Sequence, residues 1–114
     1  MRALVHPAFF DDLRRFTEEY NAVYENLGHR FHQEVRHALL HIKAGPEYAG
    51  HLLKTRPITL KDVRRCNLRS FPFFVLYGLT SEALLIASLL PSRSDPLTWL
   101  SRFQTWDKSE GRPI

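Results

Sequence analysis

The sequence predicts an α+β fold, an N-terminal strand and an antiparallel helical hairpin packed on a small antiparallel β-sheet, followed by a short C-terminal helix. Three observations carry that prediction. The segments Phe9 to Leu27 and His29 to Ala44 repeat apolar residues at the helical period of 3.6. Phe71 to Leu79 and Ala83 to Leu90 are short runs apolar on both faces, as interior strands are. Between the two pairs, Val63 to Arg69 alternates as a half-buried strand does.

Taken in order, residues 1–7 contribute the N-terminal strand, R-A-L-V-H, with Pro7 ending it or opening the helix. Residues 8–44 form the hairpin. In its first helix Phe9, Phe10, Leu13, Phe16, Tyr20, Val23, Tyr24 and Leu27 share one side. Asp11 and Asp12 suit the positive end of the helix dipole, and Asn26-Leu27-Gly28 supplies the stop, with Gly28 as a left-handed cap. The second helix buries Phe31, Val35, Ala38, Leu39 and Ile42 and stops at Gly45-Pro46. Leu40 falls on its polar side, where it reads as a contact surface. Residues 45–62 are irregular, punctuated by Gly45, Pro46, Gly50 and Pro57, with one helical turn in Glu47 to Leu53.

Residues 63–91 form the sheet. Its first strand puts Arg64, Cys66 and Leu68 on one side and Val63, Arg65, Asn67 and Arg69 on the other, as an edge strand. Gly78 to Glu82 links the two interior strands, and Pro91 removes a ladder donor and stops the last. In residues 95–106, Asp95 caps a helix with Pro96 at its first position, and Leu97, Trp99, Leu100 and Phe103 anchor it. The tail after Trp106 is polar and reads as frayed. Two helices and a short tail cover one sheet face and part of the other, so the remainder is expected to be an open groove or a partner's surface.

At 114 residues the chain is one domain, and 44% hydrophobic with 25% charged residues exclude disorder. No apolar run approaches the ~20 residues of a membrane span, and charges at Asp11 to Arg15 break any leader pattern. Cys66 stands alone, so no internal disulfide forms and a cytoplasmic setting is expected. The net charge is +4, and it is uneven: residues 1–62 carry nine basic and eight acidic groups, residues 63–114 seven and four. From 63 to 106 every basic residue is arginine, the side chain whose planar fork suits phosphate or carboxylate.

Most chemical constellations fail on their spacing. His37 and His41 stand at i and i+4, with His29 and His32 earlier, but Ala38 follows where a zinc-protease helix needs glutamate, and no cofactor or metal site is predicted. Cys66 has no nucleophile signature around it. The five glycines are scattered, so no phosphate loop forms. A helix-turn-helix over residues 8–44 lacks a basic recognition stripe. What remains is arginine with an aromatic partner: Arg64, Arg65, Arg69 and Arg93 with Tyr77, a set suited to binding a polyanion by charge and stacking.

Those residues also carry a family resemblance. V-R-R-C-N-L-R-S-F-P-F-F-V-L-Y from Val63 to Tyr77, a second apolar strand, and Arg93-Ser94-Asp95-Pro96-Leu97-Thr98-Trp99 resemble the core of the RelE/ParE family of bacterial type II toxins, nearest the ParE-like branch. The resemblance covers residues 63–99, and the preceding helices fit it. It matches Arg64, Arg65, Arg69, Phe71, Pro72, Tyr77, Arg93, Asp95, Pro96 and Trp99 to the family pattern, with Phe71, Pro72 and Trp99 structural. It implies a growth inhibitor of DNA gyrase, neutralised by a small acidic antitoxin in a heterotetramer or larger complex, with Arg64, Arg65, Arg69, Tyr77 and Arg93 touching the target. The runner-up it implies is a metal-independent, ribosome-dependent mRNA endonuclease with Arg65, Arg69, Tyr77 and Arg93 at the phosphate. A third is an attenuated member that only binds its partner. Leu90 stands where many relatives carry a histidine, and Arg-Ser-Asp-Pro adds a residue to the usual Arg-Asp-Pro. Arginine is a poor acid or base, so cleavage is expected to be absent or very weak.

Overall fold

The computed structural model describes residues 1–54, 60 and 62–114. The part of the irregular segment around Pro57 lies outside the described residues. The chain begins with strand β1 (Arg2–Val5) and then forms helices α1 (Pro7–Val23) and α2 (Leu27–Ala44). A single turn α3 (Pro46–Ala49) leads to a two-residue strand β2 (His51–Leu52). Strands β3 (Asp62–Asn67), β4 (Phe73–Leu79) and β5 (Ala83–Pro91) follow. A 3-10 turn (Pro96–Trp99), helix α4 (Ser101–Gln104), a second 3-10 turn (Lys108–Glu110) and strand β6 (Arg112–Pro113) close the chain.

The α+β architecture is the expected one, with a larger and mixed sheet. Its order is β2-β3-β4-β5-β1-β6, antiparallel except that β1 runs parallel to β5, Arg2 opposite Ala83 through Val5 opposite Ile86. The parallel pair follows from connectivity, because the hairpin and the three-strand meander separate β1 from its neighbour. The tail is not frayed. After Trp106 it pairs as β6 with β1, Pro113 opposite Leu4 and Arg112 opposite Val5. Nor is β3 a bare edge, since β2 covers it at Arg64 and Arg65.

The hairpin boundaries shift for local reasons. His6 caps α1, its Nδ1 accepting from the Ala8 N–H at 3.0 Å, and Pro7 sits in the first turn. The helix thus starts two residues before Phe9, which leaves Asp11 and Asp12 beyond the first turn. Asp12 instead meets Arg102 at 3.3 Å. The helix ends at Val23, with Tyr24 extended, so Val23 and Tyr24 are 76% and 71% exposed rather than on the buried face. The left-handed residue is Asn26 (φ 64°), not Gly28. Gly28 lies inside α2, where a Cβ would come 2.2 Å from the Thr17 carbonyl oxygen and 2.6 Å from Asn21. It is glycine because the two helices touch there.

Phe31, Val35, Leu39 and Ile42 of α2 join Phe9 and Leu13 of α1 against the inner sheet face, while Leu40 stays exposed. An aromatic plug of Tyr20, Phe31, Phe71 and Phe73 closes one end of this core, with ring centroids 5.0–6.1 Å apart. The outer face is closed by the chain itself. Phe74, Leu76, Leu85, Ala87 and Leu90 are buried under Phe103 and Trp106, with Leu53, Leu60 and Leu100 packed alongside. The expected open groove on that face is therefore filled. The buried tryptophan is Trp106 at 5% exposure, whereas Trp99, expected as the anchor, is 36% exposed. Among the described residues no helix is long and apolar enough to cross a membrane.

Candidate functional site

Alternation along β3 separates its arginines. Arg64 lies on the helix side, where its Nη1 donates to the Gly50 carbonyl at 3.1 Å and its Nε meets Asp62 Oδ2 at 3.4 Å. It straps the α3–β2 segment to the sheet. Arg65 points to the opposite face, its guanidinium 3.8 Å from the centroid of the Phe74 ring and its Nε donating to Asn67 Oδ1 at 3.1 Å. Two adjacent residues on a strand cannot share a ligand through their side chains unless that ligand wraps the edge.

Tyr77 is opposite Arg64 in the ladder and fully buried. Its hydroxyl donates to the Pro46 carbonyl at 2.6 Å, which ties the start of α3 to the centre of β4. Gly50 passes so close that a Cβ there would lie 2.7 Å from the Tyr77 hydroxyl and 2.7 Å from the Arg65 carbonyl oxygen. Burial pushes the phenol up to about 12, reinforced by neighbouring Cys66 and opposed by Arg64. The ring offers no face for stacking, and the hydroxyl is committed to the fold. Cys66 beside it is buried too, and burial pushes its thiol up, away from nucleophilic use.

Arg69 and Arg93 are the exposed members of the set. They stand at the same end of the sheet, on opposite flanks of the aromatic plug. Arg69 lines a groove of about 700 Å³ between α2 and the end of β3, with Arg30, Glu34, His37, His41 and Asn67. Glu34 turns its carboxylate onto the Ser70 N–H at 3.1 and 3.2 Å. Arg93 lines a more apolar hollow of about 580 Å³ beside α1, with Phe16, Glu19, Tyr20, Pro72 and Phe73. The hollow owes its position to the Ser92 N–H, which donates to the Pro72 carbonyl at 2.8 Å and folds the chain back after β5. Asp95 caps the following turn through the Leu97 N–H at 2.9 Å, as its motif predicts.

The structure therefore brings Arg64 and Tyr77 together inside the fold, sets Arg65 on the outer face of β3 against Phe74 and Asn67, and places Arg69 and Arg93 in two different hollows. Glu82 sits in the β4–β5 turn, at the other end of the sheet from Arg93. Sequence reasoning missed Arg30, His37 and His41 as neighbours of Arg69. Their spacing of seven and four residues, with Glu34 between them, is the signal, because it aligns them along one stripe of α2. It also missed Arg102, the arginine with the fullest set of buried partners: its Nη1 donates to Asp12 Oδ2, the Ala87 carbonyl at 3.1 Å and Ser88 Oγ at 3.2 Å. The ladder skips Ala87, passing from Leu76–Ser88 to Tyr77–Ile86, and this bulge turns its carbonyl toward that guanidinium.

Among the described residues no three His, Cys, Asp or Glu side chains gather as metal ligands would. No protein-family model, curated protein or solved structure matches the chain. The likeness to the RelE/ParE pattern rests on residues 63–99 themselves.

Proposed function

We propose that the chain is the toxin component of a bacterial type II toxin–antitoxin pair, ParE-like, which acts in the cytoplasm by binding DNA gyrase and is silenced by a small acidic antitoxin. The observation that carries a binding mode over a cleaving one is the dispersal of the arginines. RNA cleavage without a metal needs cations at one phosphate with an acid and a base within hydrogen-bond reach. Arg69 and Arg93 line different hollows, Arg65 is engaged by Phe74 and Asn67, and the Tyr77 hydroxyl is spent on Pro46. Two separated guanidinium groups flanking an aromatic end suit recognition of a protein surface, where such residues act as anchors. The element order, strand, helical hairpin, three-strand meander and capped C-terminal turn, is also the one the resemblance implies.

For the antitoxin, the closed outer face favours a site elsewhere, and the groove between α2 and β3, walled by Arg30, Arg69, His37 and His41, lies beside the stretch of β3 that β2 leaves uncovered. An acidic extended segment fits it.

The deciding experiment expresses the chain alone in a bacterial host and then with the product of the adjacent gene. Growth arrest that the second protein relieves, with loss of supercoiling by purified gyrase, is the expected result. Messenger RNA cut in the ribosomal A site, and spared by Arg93→Ala, would overturn the gyrase reading in favour of the endonuclease. Normal growth despite soluble protein would leave the attenuated binding member.

A further inference from the structure

The C-terminal segment is the lid on the outer sheet face, and His6 is one of the side chains that join it to the first helix, with the Arg102–Asp12 pair and Arg112 over Phe10. His6 follows β1 and its N–H donates to the Ile86 carbonyl at 2.9 Å. Its Nδ1 accepts from the Ala8 N–H at 3.0 Å and so caps α1. Its ring lies 5.0 Å from the Trp106 ring, tilted by 55°. Trp106 and Phe103 are the two large side chains that the segment drives into the outer cluster. Beyond them the segment is held by the two-residue β6 pairing with β1, by Arg112 over the Phe10 ring at 5.2 Å and by Ile114 against the inner core. The Trp106 indole N–H is buried and finds no acceptor among the described residues, which weakens this end of the lid.

Only neutral imidazole can fill this role. An Nδ1 that accepts from a backbone N–H becomes a donor on protonation, so two donors would face each other. The new charge would also sit at the positive end of a 17-residue helix. The groups around it do not compensate. Asp12 on α1 and Glu110 on the second 3-10 turn are the anions, and Asp12 is already paired with Arg102. Arg102 on α4 and Lys108 on the 3-10 turn are the cations, and Arg112 on β6 stands opposite Val5 of β1. Lys108 already lies 5.8 Å from the Trp106 ring, so that aromatic surface has a cation without His6. Burial, with Arg102 next, lowers the His6 pKa, in the same direction as the geometry.

We propose that His6 is an acid-sensitive latch: its protonation releases the C-terminal segment that carries Trp106 and bares Phe74, Leu76 and Leu85 on the outer sheet face. The helical hairpin and the inner core stay folded, because the packing of Phe9, Leu13, Phe31, Val35, Leu39 and Ile42 includes neither His6 nor Trp106, and His6 gives the hairpin only the cap of α1.

The test uses the full chain with Trp99→Phe, so that Trp106 is the single emitting indole. Titrated from pH 7.5 to pH 5, Trp106 emission is expected to shift to the red and acrylamide quenching to rise severalfold, while far-UV circular dichroism holds. The proton resonances of the His6 ring should titrate with the same midpoint. His6→Asn keeps a capping side chain that does not titrate, and should flatten the emission profile. His32→Gln, which removes the other imidazole that burial holds below its ordinary value, should leave the profile unchanged. A flat profile in the starting protein would overturn the latch. So would a transition that survives His6→Asn, one that follows His32, or one in which ellipticity collapses together with emission. If His6→Asn fails to fold, a ring midpoint that differs from the emission midpoint overturns it by itself.

Discussion

Replacing Tyr77 with phenylalanine isolates one oxygen. The ring keeps its place among Val75, Leu79 and Ile86, so no cavity opens. What is lost is the 2.6 Å bond to the Pro46 carbonyl, which then faces the apolar ring edge in a partly buried setting. Leaving one such acceptor unpaired costs about 1–2 kcal/mol. For a chain of this size that lowers the melting temperature by roughly 4–8 °C at pH 7. The same oxygen makes a second, independent claim. Its folded-state value is about 12, against 10 for a free phenol. The fold therefore favours the neutral form, and this contribution is fully present below pH 10 and lost as pH rises through 12. The loss is about 2 kcal/mol by pH 11.5. The two proteins differ only at this hydroxyl, so the readable quantity is the difference between them. Urea unfolding at pH 7, 9.5 and 11.5 should show the parent more stable at the first two values and level with Tyr77→Phe at the third. A gap that stays constant across the series would refute the claim that Tyr77 is held un-ionised. A gap of zero at pH 7 would show that the Pro46 contact stabilises nothing.

Three further outcomes are expected. Gly28→Ala gains up to about 1 kcal/mol of helix propensity, but its Cβ would meet the Thr17 carbonyl oxygen at 2.2 Å, and the helices must part at a net cost of about 2 kcal/mol in urea unfolding. Arg102→Met should lower stability by roughly 2 kcal/mol, because it takes the shared donor from the Ala87 carbonyl and Ser88 Oγ and leaves Asp12 with only Arg15 at 3.6 Å; equal melting temperatures would exclude that account. Arg69→Ala and Arg93→Ala remove exposed side chains and should leave unfolding unchanged within about 0.5 kcal/mol, while each weakens target binding and its dependence on salt.

Periodicity carried most of the architecture. Phe31, Val35, Leu39 and Ile42 at helical spacing, and two strands apolar on both faces, already require a hairpin on one sheet face and a cover on the other. The nature of that cover was not legible. Trp106 and Phe103 sit in a segment of mixed polarity whose elements are only three or four residues long, too short for any period to register. Its attachment depends on His6 and Arg102, residues 96 positions apart in the chain, and on a bulge at Ala87 that no composition announces. Gly28 shows the same limit. Glycine near a helix end reads as a cap, yet here the cap falls to Asn26 and the glycine serves a contact between helices.

The arginines divide along the same line. Alternation places Arg64 and Arg65 on opposite faces of β3, and that much is legible from the residue order alone. It does not say that Arg64 is consumed by Gly50 and Asp62, or that Tyr77 turns its hydroxyl to Pro46. Both look like site residues because a buried clamp and a ligand-binding set use the same side chains, arginine and tyrosine, at the same spacing. The difference lies in whether their donors are already satisfied. Arg64 and Tyr77 are satisfied within the fold. Arg69 and Arg93 project from the two flanks of one aromatic end and retain donors for a partner. Under the proposed reading such a surface grips a protein at two points, whereas phosphate cleavage would require two charges and a proton donor to meet at one atom.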